Sequence, residues 1–166
     1  MTEFLAVYNE NDELLPEKLE RTNRENIEKG KYFRIVIVFI ENNKKEFLIQ
    51  KVVPRKGDCF ATTGGHVQYG ISSLDTIVTE VEEELGIKVP KEEFQLLYTF
   101  KRFKVYQDVY YLKREIDINA LNLQESELEY VEWMSVNKIM QLIEKGQFRN
   151  SNIDPIKKLL AENNND

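Results

Sequence analysis

Residues 64–87 read GGHVQYGISSLDTIVTEVEEELGI, and this stretch decides the fold. Its second half is an amphipathic helix. From Ser72 to Leu85, the residues Leu74, Ile77, Val78, Val81 and Leu85 fall on one stripe at helical spacing, a face that packs on a sheet. Ser72 and Asp75 resemble an N-terminal capping pair, and Gly86 sits where a C-terminal glycine belongs. Glu80, Glu83 and Glu84 stand at i, i+3 and i+4. With about 100° of turn per residue they share a different face, beside the apolar stripe. Like charges at these spacings repel by about 0.2–0.5 kcal/mol per pair, and their place near the helix C-terminus opposes the macrodipole. A divalent cation would reverse both penalties. On the helix alone, a solvated acidic face explains them equally well, because the chain carries 29 acidic residues. The preceding Gly64-Gly65 turn shifts the balance: it lets backbone approach a ligand closely and point N–H groups at phosphate.

Working outward, Phe33 to Ile40 is a continuous apolar, β-branched run, the mark of a strand buried on both faces. Asn42 to Lys45 is a turn, and Glu46 to Val53 returns as the second strand of a hairpin. Phe94 to Arg102 and Val105 to Arg114 read as another hairpin, and Tyr130 to Met134 as a last strand. Phe4 to Tyr8 is a short strand ended by Asn9 to Asp12, and residues 13–30 are polar and weakly helical. Cys59 to Thr63 forms a short strand entering the glycine turn. Val136 to Glu144 and Asn152 to Glu162 are helices. The expectation is one α/β domain over residues 1–162, a mixed β-sheet between helices, with residues 163–166 as a frayed tail.

The bulk properties agree. A chain of 166 residues with 42% hydrophobic and 31% charged residues suits one globular domain. A net charge of −6 argues against nucleic-acid polymers and anionic membranes as partners. One cysteine, Cys59, and one histidine, His66, exclude a zinc site of the usual kind, so a metal must be held by oxygen, as Mg²⁺ or Mn²⁺ is. Met1 to Phe4 begins no signal peptide, and the longest apolar run, Ile35 to Ile40, is too short to span a bilayer. A cytoplasmic protein is the expectation.

Gly65 to Ile87 resembles the Nudix box: Gly65, Glu80, Val81, Glu83, Glu84, Gly86 and Ile87 fall on its pattern, and Gly64, His66 and Val67 are typical neighbours. Two positions depart. Ile71 stands where the box has glutamate, and Thr79 where it has the arginine that orients the next glutamate, here Glu80. Phe4 to Asp12 followed by Gly30 to Arg34 resembles the branch that contains isopentenyl-diphosphate isomerase. That enzyme's cysteine and histidines are missing, since position 64 is glycine and His66 stands alone.

The resemblance implies the α/β/α Nudix fold and a pyrophosphohydrolase acting on a nucleoside diphosphate linked to another moiety. The alternative is a catalytically weak domain that binds a nucleotide or metabolite. It implies Glu80, Glu83 and Glu84 as catalytic and metal-binding residues, with the Gly64 carbonyl as a further ligand. Glu80, or a loop glutamate such as Glu125, Glu127 or Glu129, would be the base. Gly64, Gly65 and His66 would contact substrate. Arg34, Lys51, Arg55 and Lys56 offer cations for phosphate, against an exposed-surface reading that is commoner for each. Phe60, Tyr69, Phe103, Tyr110 and Trp133 could stack on a base, though aromatics at strand spacing are more often core. The partner would be a small diphosphate, and a homodimer is a state common in the family.

Overall fold

The computed structural model describes residues 1–163. Its strands are β1 (Phe4–Tyr8), β2 (Leu14–Glu20), β3 (Phe33–Glu41), β4 (Phe47–Val52), β5 (Phe60–Ala61), β6 (Gly64–His66), β7 (Gln95–Arg102), β8 (Val105–Lys113) and β9 (Leu128–Met134). The helices are α1 (Ser73–Leu85), α2 (Val136–Glu144) and α3 (Asn150–Asn163).

The central strand is β3, and its sequence explains the layers. One set of its residues, Val36, Val38 and Ile40, packs with Ile77, Val81 and Leu85 of α1. The alternate set, Ile37 and Phe39, packs with Ile139 and Leu142 of α2 and Ile156 and Leu159 of α3. Side chains alternate across a strand, so a strand covered on both faces must be apolar at nearly every position. The sheet runs β5-β4-β3-β8-β7, with β6 added to β3 and β9 to β4. It is mixed, because β3 pairs parallel to β8 while β7 and β8 form the expected antiparallel hairpin. The β3–β4 hairpin opens after the Glu41–Phe47 pair. That leaves β3 free to receive β6, with Ile35 opposite His66, Val36 opposite Gly65 and Ile37 opposite Gly64. The glycine turn is thereby fixed against the middle of the domain.

The N-terminal part differs from expectation. Residues 14–20 form strand β2, paired with β1 through Leu5–Leu19 and Phe4–Glu20. Leu15 and Leu19 are spaced i, i+4, which fits a helix face and a strand face equally. Pro16 removes the donor a helix interior needs, and pairing with β1 decides the outcome. Leu5, Val7, Ile27 and Phe33 form a small core that seats this hairpin on the sheet.

Helix α3 begins two residues earlier than the sequence implies and includes Pro155. The proline cannot donate to the Ser151 carbonyl, and the Gln107 side chain donates to it instead, at 2.8 Å. Residues 164–166 of the expected tail lie outside the described residues. No helix among the described residues is long and apolar enough to cross a membrane.

Candidate functional site

Helix α1 forms as its sequence requires. The Ser72 hydroxyl accepts from the Asp75 backbone N–H at 3.0 Å, and Gly86 closes the helix in the left-handed region at φ 73°. With the apolar stripe turned to the sheet, Glu80 and Glu84 are carried inward and Glu83 stays exposed at the edge. All three line a cavity of about 770 Å³ that also takes in Gly64, Gly65 and His66.

The glutamates sit in an environment that resists their charge. Burial, and then the charge of Glu83, pushes the Glu80 carboxyl up to about 7. Glu84 lies deeper. Burial first, then Glu80 and Glu127, hold its carboxyl well above the ordinary range, against a lowering effect of the Gly64 backbone N–H. Its Oε2 atom is buried with no hydrogen-bond partner. A buried acceptor left unmatched costs about 1–3 kcal/mol, so this oxygen is a candidate contact for a water or an ion. As the side chains stand, no three acidic, histidine or cysteine residues among those described form a closed metal-holding group. The donor set nevertheless fits a hard divalent cation: carboxylate oxygens on one helix face, one of them unpartnered.

The two glycines have separate reasons to be glycine. A Cβ on Gly64 would lie 2.4 Å from the Val36 carbonyl oxygen and 2.9 Å from Ile37 Cγ2. A Cβ on Gly65 would lie 2.5 Å from Cδ of Glu80. Gly64→Ala should therefore strain the β3–β6 pairing and lower unfolding free energy by about 1–3 kcal/mol in denaturant titration. Gly65→Ala presses only on a side-chain end. It should leave stability within about 1 kcal/mol of wild type, yet displace the Glu80 side chain in the cavity.

His66 stacks on Phe33 with ring centroids 5.8 Å apart. Burial, then Arg21 and Arg24, lower its pKa to about 4, so it is a neutral hydrogen-bonding group at neutral pH.

The expected phosphate-binding cations divide. Arg34 does not reach the cavity. It is 6% exposed and donates to Asp108 at 2.5 Å, pairs with Asp12, and lies over the rings of Tyr8 and Tyr106 at 4.4 and 4.9 Å. A charge inside an apolar strand must be paired, and this one is a core crosslink. Lys51 is drawn to Asp58 at 2.6 Å and Glu129 at 3.7 Å, and Arg55 to the Ser126 carbonyl at 2.5 Å. Both therefore tie loops together away from the cavity wall. Lys56 does line the cavity, 3.4 Å from Glu127. Of the loop glutamates only Glu127 lines it.

None of the five aromatics lines the cavity. Tyr110 hydrogen-bonds Ser73 in the core, Trp133 donates to the Ile116 carbonyl, and Phe60 meets Tyr130 edge-on. Tyr69 and Phe103 are exposed elsewhere. Ile71 and Thr79 are exposed and also lie outside the cavity wall.

Several lining residues carry no local signal in the sequence. Arg21 and Arg24 come from the 3-10 turn Arg21–Asn26, Arg149 from the residue before α3 and Asn152 from its first turn. The buried Asn152 accepts the Thr62 backbone N–H at 2.9 Å and locks α3 to the strand entering the glycine turn.

A family model described as NUDIX domain matches residues 31–155. Nudix hydrolase 3 of Arabidopsis thaliana is 27% identical over 133 residues, 70% of this chain. The chain spans 17% of that protein's length. An uncharacterized Nudix hydrolase of Listeria innocua is 26% identical over 147 residues, covering 82% of this chain and 86% of its own. Among solved structures, DR0079 from Deinococcus radiodurans superposes with a TM-score of 0.74 at 20% identity, covering 93% of this chain and 96% of that one. That likeness establishes the same fold, a mixed sheet between helices.

Proposed function

This chain belongs to the Nudix hydrolase family, and from that premise we propose a Mg²⁺- or Mn²⁺-dependent hydrolase. Its substrate is the pyrophosphate bond of a nucleoside diphosphate linked to another moiety, or a similar small compound. The observation that carries this reading is the unpartnered Oε2 of Glu84, buried beside Glu80 on the glycine-turn cavity. Glu80 and Glu84 would hold the cation, with Glu83 at the rim and the Gly64 carbonyl as a further donor. When bound, such a cation neutralises diphosphate charge and acidifies a water.

The chain's own groups supply the rest. Gly64 and Gly65 pack the turn tightly on Ile37 and Glu80, beside the cavity a phosphate would enter. Ile35 and Ile37 form apolar walls that limit water. Glu80 or the loop glutamate Glu127, both on the cavity, would take the proton from an attacking water. Neutral His66 offers a hydrogen bond to substrate. Isomerase chemistry is not proposed, because position 64 is glycine and His66 is the single histidine.

A screen of diphosphate compounds with Mg²⁺ or Mn²⁺, comparing wild type with Glu84→Gln, tests the reading. Equal turnover by the two proteins would remove Glu84 from the site.

A second reading, a binder with weak catalysis, is favoured by the side chains at 71 and 79. Ile71 is 46% exposed and Thr79 is exposed, so neither reaches the glutamates to orient them. The double change Ile71→Glu and Thr79→Arg should raise turnover about 10-fold if those gaps limit it. An unchanged rate would show that this chain orients Glu80 by other means.

A further inference from the structure

The family model begins at residue 31, yet the cavity continues into the segment before it. Glu3, Arg21 and Arg24 all line the cavity. Their placement is built, not incidental. The Arg21 backbone N–H donates to the Glu3 carbonyl at 2.9 Å, and Arg21 Nη1 donates to Glu3 Oε2 at 2.7 Å. The other Glu3 oxygen accepts from Gln68 Nε2 at 2.9 Å, two residues past His66. Arg24 Nη1 donates to the Arg21 carbonyl at 2.9 Å, which ties the Arg24 guanidinium to the Arg21 backbone. The β1 strand is itself tied to this turn, with Ala6 N–H donating to the Val67 carbonyl and Tyr69 N–H to the Phe4 carbonyl.

Glu3 is the close acidic partner of the pair. Arg24 has only Glu25, at 4.0 Å and largely exposed. Among the described residues, Arg21 Nε and Nη2 have no hydrogen-bond acceptor, so the wall keeps free paired donors. Paired guanidinium N–H groups match phosphate oxygens in geometry and charge. Both arginines line the same cavity as His66, Glu80 and Glu84. Along β3, His66 lies opposite Ile35, while Gly65 and Gly64 lie opposite Val36 and Ile37.

We propose that Arg21 and Arg24 form an anion subsite, contributed by the N-terminal segment, for a phosphoryl group next to the diphosphate held at Glu80 and Glu84. This rests on the diphosphate reading and narrows it to substrates with a further anionic group beside the scissile diphosphate.

The test uses two probes on the full chain, inorganic diphosphate and inorganic tripolyphosphate, titrated calorimetrically with Mg²⁺ in excess. Wild type should bind tripolyphosphate about 10-fold more tightly than diphosphate. The double variant Arg21→Gln/Arg24→Gln should lose that preference while keeping its diphosphate affinity within about 2-fold, and Arg21→Lys should retain most of it. Glu3→Gln, which frees Arg21, should widen the preference. A preference that survives in the double variant, or none in wild type, overturns the subsite. Failure of the underlying reading looks different: Glu84→Gln would leave affinity for both probes in Mg²⁺ unchanged, while the arginine-dependent preference stayed measurable.

Discussion

Glu84→Gln should lower metal-dependent diphosphate hydrolysis by roughly 10²- to 10³-fold and yet leave the metal-free protein at least as stable as wild type. The two effects have one origin. Glu84 is half-buried, its carboxyl is opposed by burial and by the charges of Glu80 and Glu127, and it has a buried oxygen without a partner. Without a cation these features oppose its charge, and a neutral amide of the same shape removes the repulsion. With a cation in the proposed site the same carboxylate would be a charged donor, and the amide could not replace its charge. Thermal melts with and without Mn²⁺ separate the two. Wild type should gain stability as Mn²⁺ is added, following the linkage between ligand binding and folding, and Glu84→Gln should gain little. A variant less stable than wild type in the absence of metal would show that Glu84 holds the fold together and is not reserved for an ion.

The second large effect concerns Arg34, and it is on folding. Arg34→Ala should reduce the unfolding free energy by about 3–5 kcal/mol, measured by denaturant titration. Asp108 is 3% exposed and is surrounded by Arg34, Ser73 and Thr99 donors. Removing the guanidinium leaves a carboxylate inside the core with hydroxyls alone for company, and strips the packing on Tyr8 and Tyr106. Asp108→Asn in the same chain should return part of the loss, because the remaining group is then neutral. The folded fraction of the single variant should keep its KM, since Arg34 is not on the cavity. A raised KM with unchanged stability would restore Arg34 as a substrate ligand.

What was legible in the sequence was local. The cap at Ser72, the stripe from Leu74 to Leu85 and the stop at Gly86 lie within one helix, so periodicity and capping determine them together. The doubly covered strand at Phe33–Glu41 was equally plain, because burial on both faces leaves no room for alternation. The glutamate face and the glycine turn were visible for the same reason. Distance in sequence hid the rest. Arg34 interrupts an apolar run, which signals a paired charge, but its partner Asp108 lies 74 positions on. Leu15 and Leu19 carried a spacing shared by helix and strand, and only pairing with β1 resolved it. Arg21, Arg24 and Arg149 sit in polar stretches where an exposed cation is the ordinary expectation, and folding alone gathers them at one cavity.

The parallel β3–β8 ladder also dictates when this architecture can assemble. Neighbouring segments such as β7 and β8 close within microseconds, whereas a ladder between distant segments must first meet the entropy of closing a long loop. High contact order of this kind slows folding. During synthesis, β3 emerges well before β8, and until β8 arrives it presents a bare apolar edge. The interval between the two is the period of greatest aggregation risk for the nascent chain. The part of the cavity built from Gly64 to Glu84 is contiguous in sequence and pairs with β3, while the wall supplied by Arg149 and Asn152 closes only once the last helix has docked.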